Sequence, residues 1–234
     1  MVEYRDYNFA GKTMEFFVTH QTVEHYSGDC AVAFVFKDKA HQNKDLQQLL
    51  ELNRFDAIVG ATLMLSRVDG YKTKRLLVVG LGDSSLNAKS YMKVLNSLSS
   101  ALSDAKVKNV VIPDIQIDNR DESWIQLTTA RVLKNASYQV EKVDAKEENE
   151  QGTLEAISIY SENNDATEIN KGLAIANGMA LTRRLGDLPS NICTPSYLAE
   201  TAKSLAKNYS LECEVLEESD MEALGMNSLL SVSK

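Results

Sequence analysis

The spacing of apolar residues changes period several times along the chain, and each change marks an element. "MEFFVTH" (14–20) and "CAVAFVFK" (30–37) are short runs rich in β-branched and aromatic residues, separated by a polar turn holding Gly28 and Asp29. They predict two neighbouring strands. Over residues 44–58, Leu46, Leu49, Leu50 and Ile58 fall at helical spacing, with 55–59 able to begin another strand. "ATLMLSRVDG" and "KRLLVVGLG" predict two strands joined through the Asp69-Gly70 turn. Over 87–105, Tyr91, Val94, Leu95, Leu98 and Leu102 recur at intervals of three and four, which predicts an amphipathic helix.

"VKNVVIPDI" (107–115) reads as a buried strand, 124–133 as a helix, and "TLEAISIYS" (153–161) as the last strand of this half. Strands alternating with helices predict an α/β fold with a largely parallel sheet covered on both faces. The charged run "DAKEENEQG" (144–152) reads as a solvated loop. A long helix follows over about 166–185, in which Gly172, Ala176 and Gly178 imply close packing against a neighbour. Thr194 is placed to cap the next helix, with Pro195 at its first position, where a missing N–H costs nothing. "LECEVLE" (211–217) alternates like a strand, Ser219 with Glu222 forms a capping box, and Gly225 closes that turn. "MNSLLSVSK" (226–234) is apolar and uncapped.

Composition narrows the function. At 234 residues the chain is long enough for one large or two ordinary domains, and 44% hydrophobic with 25% charged residues is the balance of a folded protein. A net charge of −8 argues against nucleic acid, because phosphate contacts need Lys and Arg gathered on one face. The densest basic run, "KTKR" (72–75), reads as the flank of a strand. Cys30, Cys193 and Cys213 are odd in number and widely spaced, so they suggest neither a disulfide framework nor a metal clip. With no apolar leader and no run near the ~20 residues of a membrane span, the expectation is a cytoplasmic protein without membrane association.

No constellation of residues declares a chemistry. Gly80 and Gly82 in "VVGLGDSS" follow a strand and precede a helix as a phosphate loop would, but Ser85 occupies the third small-residue position, and a structural turn accounts for the pattern. That loop motivates a weaker alternative, a nucleotide or ADP-ribose binder. His20, His25 and His41 show no helical zinc spacing. Cys193 lies beside a helix N-terminus, a setting that activates thiols, but has no histidine near it in sequence. There is no GxSxG elbow. Arg183, Arg184 and Asp187 read as pairing with one another or with a partner subunit.

Residues 172–234, "GLAIANGMALTRRLGDLPSNICTPSYLAETAKSLAKNYSLECEVLEESDMEALGMNSLLSVSK", closely resemble the segment where leucine (cytosol) aminopeptidases pass from an N-terminal domain into the catalytic one. The family pattern that the stretch resembles is a long helix ending in an Arg-Asp or similar pair, an Asn-Pro-rich turn, a Thr-Pro helix start and a Met-Glu-Leu-Gly-Met turn. "KRLLVVGLGDSS" and the helix after it are similar to the family's strand and helix upstream. Gly186-Asp187 and Pro189-Ser190-Asn191 depart from the commoner residues, within a turn.

The resemblance implies a macro-like mixed sheet flanked by helices over 1–163, a linker helix over 164–187, and an incomplete α/β catalytic domain over 188–234. It also implies a cytoplasmic, homo-hexameric metalloprotease that hydrolyses N-terminal, leucine-like residues from peptides. Two divalent ions, manganese or zinc, would hold the substrate amine and carbonyl and activate a water. The family's ligands, carboxylates with one Lys, lie in a Gly-Lys-Gly and an Asn-Thr-Asp-Ala-Glu-Gly-Arg stretch that this sequence does not contain. The expectation is therefore a truncated chain with no catalytic, metal-binding or cofactor-binding residue of its own, inactive by itself. Asp69, Asp83 and Asp114 are not stand-ins for those ligands. The competing reading is a free-standing, non-catalytic binding or assembly module.

Overall fold

The computed structural model describes residues 14–140, 154–163 and 165–233, so the charged run at 144–152 lies outside them. Two compact units are resolved, Met1–Thr182 and Arg183–Lys234. The first holds six strands, β1 (Glu15–Thr19), β2 (Cys30–Val35), β3 (Thr62–Ser66), β4 (Arg75–Gly80), β5 (Asn109–Ile112) and β6 (Ala156–Tyr160). They form one sheet in the order β1-β6-β5-β2-β4-β3. Every pairing is parallel except β3 with β4, whose strands are joined by a turn at Gly70, where φ is +90°.

β1 and β2 are not neighbours, contrary to the sequence reading. β1 lies at the far edge, paired with β6 from Glu15↔Ala156 to Thr19↔Tyr160. Alternation reports that a strand has an inside face; it does not report its partner. The connections α1 (Lys44–Leu52), α2 (Ala88–Asp104) and α3 (Glu122–Ala136) carry the chain between strands. α1 ends at Leu52, short of the predicted 58, and 55–59 is neither helix nor strand.

Both sheet faces are covered. On one, Cys30, Val32, Leu77, Val79, Val110, Ile112, Ile157 and Ile159 pack against α2 and α3. All five stripe residues of α2, Tyr91, Val94, Leu95, Leu98 and Leu102, are buried there. On the other, Ala31, Ala33, Val35, Leu76, Val78 and Val111 meet Leu46 and Leu50 of α1. β2 and β4 are thus buried on both sides, which is why they read as unbroken apolar runs. Asn87 and Asp121 cap α2 and α3, accepting from the Ser90 and Trp124 N–H groups.

α4 (Thr167–Asp187) buries Ile169, Gly172 and Ala176. At Gly172 a side chain would collide with the Leu127 carbonyl oxygen of α3, so the close approach requires glycine. Gly178, expected to pack likewise, has nothing within 4 Å of where a Cβ would stand.

In the second unit, α5 (Pro195–Tyr209) starts as expected, with Thr194 Oγ1 accepting from the Tyr197 N–H at 3.3 Å. Residues 211–217 are not a strand: no neighbouring strand exists among the described residues, and alternation alone does not make a ladder. α6 (Glu218–Ala223) is capped by Glu217, whose N–H donates to Asp220 Oδ2 at 2.9 Å, so the box sits two residues before the Ser219–Glu222 pair. Gly225 follows at φ +71°, and the apolar tail forms α7 (Asn227–Ser233). The unit is therefore a run of helices, not the expected helix-strand-helix.

Gly172→Leu is expected to cost about 1–3 kcal/mol through overpacking, whereas Gly178→Ala is expected to be neutral or to stabilise by up to ~1 kcal/mol. Thermal melts of the two variants check this, and equal losses would refute the packing asymmetry. Asp29→Ala, which removes a partly buried fork on Arg75, is expected to cost about 1–3 kcal/mol. Asp56→Ala, which opens the exposed Lys37–Asp56 pair, is expected to cost under ~1 kcal/mol in the same assay.

Candidate functional site

In open α/β sheets, ligands favour the carboxyl ends of parallel strands where successive connections leave on opposite faces. Here that place lies between β2, which continues to α1 on one face, and β4, which continues to α2 on the other. The Gly80–Gly82 loop occupies it. Its backbone donors are already used: Gly80 N–H binds Ala61 O (2.8 Å), Leu81 N–H binds Val35 O (2.8 Å) and Gly82 N–H binds Ala57 O (2.8 Å). The glycines answer to the chain's own 57–59 segment. A Cβ at Gly80 would strike Ile58 O, and one at Gly82, where φ is +82°, would lie 2.7 Å from Val59 Cγ2. The loop is a packed structural turn.

A second polar group sits at the carboxyl ends of β1 and β6. Ser161 is buried, and its hydroxyl lies 2.6 Å from Glu122 Oε1 and 2.8 Å from Asn163 O. Gln126 Nε2 donates to Glu122 Oε1 at 2.7 Å and to Ser161 Oγ at 3.1 Å. His20 Nδ1 donates to the Ser161 carbonyl at 2.9 Å. Burial raises the Asp114 carboxyl above its ordinary range, and the charges of Glu122 and Glu162 push it further. The cluster ties α3 and the approach to α4 onto the sheet. Its members satisfy one another, and it presents no activated nucleophile. Sequence reasoning missed it because Glu122 and Ser161 are 39 residues apart and neither belongs to a motif.

The other candidates are dispersed. Asp69 stands in the β3–β4 turn, Asp83 after β4 and Asp114 after β5, so the fold does not gather them. His25 Nδ1 lies 3.0 Å from Thr22 Oγ1, and His41 sits before α1. Cys30 is buried in the sheet, its thiol pushed up to about 12 by burial, which makes it inert. Cys193 is half-buried and Cys213 exposed. Arg184 donates to Tyr197 Oη at 3.4 Å, and Arg183 and Asp187 are exposed towards the C-terminal end of α4. An open groove of about 670 Å³ between β3 and α2 is lined by Thr62, Met64, Asn96, Ser100 and Asp104, with one titratable group among them. Among the described residues, no three His, Cys, Asp or Glu side chains could together hold a metal ion, and no helix is long and apolar enough to cross a membrane.

Residues 30–147 match the model of the cytosol aminopeptidase family N-terminal domain, and residues 180–234 match that of the family's catalytic domain. A probable cytosol aminopeptidase of Vesicomyosocius okutanii is 46% identical over 221 residues, which is 94% of this chain and 46% of that protein. The chain thus spans about half the length of the curated relatives it matches. Among solved structures, a mutant of tomato leucine aminopeptidase superposes with a TM-score of 0.69 at 23% identity, covering 93% of this chain and 47% of that one. The bottromycin maturation enzyme BotP in complex with Mn gives 0.66 at 18% identity, covering 85% and 40%. At these identities the structural likeness establishes the shared fold, and the family models with the curated relatives establish the family.

Because the Gly80–Gly82 donors are spent within the fold, titration of ADP-ribose into the chain is expected to give no heat of binding up to millimolar ligand. Saturable binding in the micromolar range would overturn the structural reading of that loop.

Proposed function

The chain belongs to the cytosol aminopeptidase family, and from that premise we propose that it is the N-terminal part of a leucyl aminopeptidase that hydrolyses N-terminal residues from peptides. The observation that carries this reading is the catalytic-domain match over 180–234, the stretch with the long helix, the proline turn and the Thr194-Pro195 helix start. The proposed organisation is an N-terminal α/β domain over 1–163, a linker helix over 164–187 and the opening of the catalytic domain over 188–234.

The chemistry proposed for the complete protein is hydrolysis assisted by two divalent metal ions, manganese or zinc, in a cytoplasmic homo-hexamer. A BotP structure with Mn supports the metal reading by likeness of fold. The residues described here do not fit such a centre: they include no cluster of metal-binding side chains, and the sequence lacks both ligand stretches that the family resemblance implies. No catalytic step is therefore assigned to any side chain of this chain.

A gene product extended to the length of the curated relatives is expected to release leucine from a leucyl peptide when manganese or zinc is supplied, and to lose that activity with a chelator. Residues 1–234 alone are expected to show no turnover above the blank under the same conditions. Inactivity of the extended product with both metals would refute the proposal, and turnover by residues 1–234 would refute the assignment of the active centre outside them.

A further inference from the structure

Helix α1 begins in a nest of four hydrogen bonds centred on the three residues from His41 to Asn43. The His41 N–H donates to Gln47 Oε1 at 2.9 Å, which folds the connection back onto the first turn of the helix. The Asn43 N–H donates to the His41 ring at Nδ1, at 3.1 Å. Asn43 Oδ1 accepts the Leu46 N–H at 2.9 Å, the N-cap bond of α1, and Asn43 Nδ2 donates to the Asp69 carbonyl in the β3–β4 turn at 2.9 Å. One residue thus caps a helix and ties it to the neighbouring hairpin, and that residue is held in place by a histidine ring nitrogen acting as an acceptor.

An acceptor Nδ1 carries no proton, so the ring in this arrangement is neutral with its hydrogen on Nε2. We propose that His41 is an acid-sensitive latch: a proton taken up at Nδ1 turns the acceptor into a donor facing the Asn43 N–H, releases Asn43, and frees both the first turn of α1 and its tie to the β3–β4 turn. What the latch secures is one side of the second core, because Leu46 is fully buried and Leu50 nearly so, and both reach the sheet only while α1 is docked.

The surrounding charges set the range. From the connection between β1 and β2, Glu24 favours the charged ring; from the β3–β4 turn, Tyr71 feels the same Glu24 charge, and the Lys72 N–H binds the Glu24 carbonyl. The segment around His41 itself carries Asp38, Lys39, Lys44 and Asp45. Burial outweighs the two influences that favour the charged ring, the backbone at Asn43 and then Glu24, and holds the ring below its ordinary value. The sign follows: a base harder to protonate when docked than when released contributes stability that is present above the released value, near 6.5, and is lost as the pH falls through it. Acid opens the latch; neutral pH closes it.

Hydrogen exchange of the intact chain, followed by mass spectrometry on peptides spanning 41–52 and corrected for the intrinsic pH dependence of exchange, reads the opening directly. Protection of this segment is expected to fall below pH 6.5, by up to about tenfold for each unit that release raises the ring's pKa. His41→Gln, an uncharged residue at the same place, is expected to show no such pH-dependent fall. Should that variant fail to fold, ring-nitrogen NMR on the wild type decides: Nδ1 is expected to be unprotonated at pH 7.5, and the Asn43 and Leu46 amides are expected to shift with the ring's own midpoint. Unchanged protection of 41–52 between pH 7.5 and 5, a His41→Gln profile that tracks the wild type, or a protonated Nδ1 at pH 7.5 would each overturn the latch.

Discussion

The sheet of the first unit depends on one charged fork at the amino ends of its central strands. Arg75 Nε donates to Asp29 Oδ1 at 3.1 Å, its Nη2 pairs with Oδ2, and its Nη1 donates to the Ala105 carbonyl at 2.6 Å. The Lys108 N–H adds a bond to Asp29 Oδ2 at 2.9 Å. Four elements meet there: Asp29 leads into β2, Arg75 opens β4, Ala105 closes α2, and Lys108 leads into β5. Parallel strands have no tight turn to set their register, and a slip of one residue would turn every side chain to the wrong face. β2 pairs with β4 and β5 on its two sides, Cys30 opposite Arg75 and Val110, and the fork sits at the head of both pairings. A planar guanidinium that grips a carboxylate at two points tolerates little displacement. Its partners are about a quarter exposed, so its contribution is to alignment as much as to energy.

With the amino ends held, the carboxyl ends are where the fold would ordinarily offer a ligand site, and there the chain has turned inward. The turn after β4 gives its N–H groups to the 57–61 segment and to β2, and the Gly82 carbonyl accepts the Lys37 N–H at 2.7 Å. The polar cluster after β6 is spent in the same way: Ser161 joins the sheet to α3, with its own N–H on the Thr19 carbonyl. These groups carry structure rather than chemistry, and the polar atoms that look functional by position are already paired.

What was legible in the sequence was what the chain specifies locally. The α2 stripe, the Thr194 cap with Pro195 and the Asp69-Gly70 turn each depend on residues a few positions apart, and each appears where periodicity and turn chemistry put it. What was not legible depends on a partner far away in sequence. The position of β1 beside β6, 141 residues apart at Glu15 and Ala156, leaves no trace in alternation. The Asp29–Arg75 fork spans 46 residues without a motif, and Gly172 and Gly178 are indistinguishable until α3 is seen to approach only one of them. Residues 211–217 fail as a strand for the same reason: their pattern suits a half-buried pleated surface, and a ladder needs a second chain segment beside it. The candidate site was hardest of all, since no spacing announced the Ser161 cluster, and the family entered through a helix-turn-helix signature that carries no catalytic atom.

That signature lies where burial is thinnest. In the second unit, Leu230 is the one apolar side chain below a tenth exposed among the described residues, and α5 buries none. Leu211, Leu224, Leu229 and Val232 stand 61%, 66%, 52% and 84% exposed. Local contacts in these helices include the Thr194 cap, the Glu217–Asp220 bond and the exposed Glu200–Lys203 pair at 3.0 Å. A cap stabilises by roughly 0.5–2 kcal/mol and an exposed pair by roughly 0.2–1 kcal/mol, while fixing a single residue's backbone costs about 1–2 kcal/mol. Caps and surface pairs select where a helix starts; they do not supply the free energy to hold one. In the first unit that free energy comes from two buried sheet faces. The described residues after Thr182 mark the start of α5 as plainly as the first unit marks its helices, yet they bury almost no apolar side chain that would hold those helices.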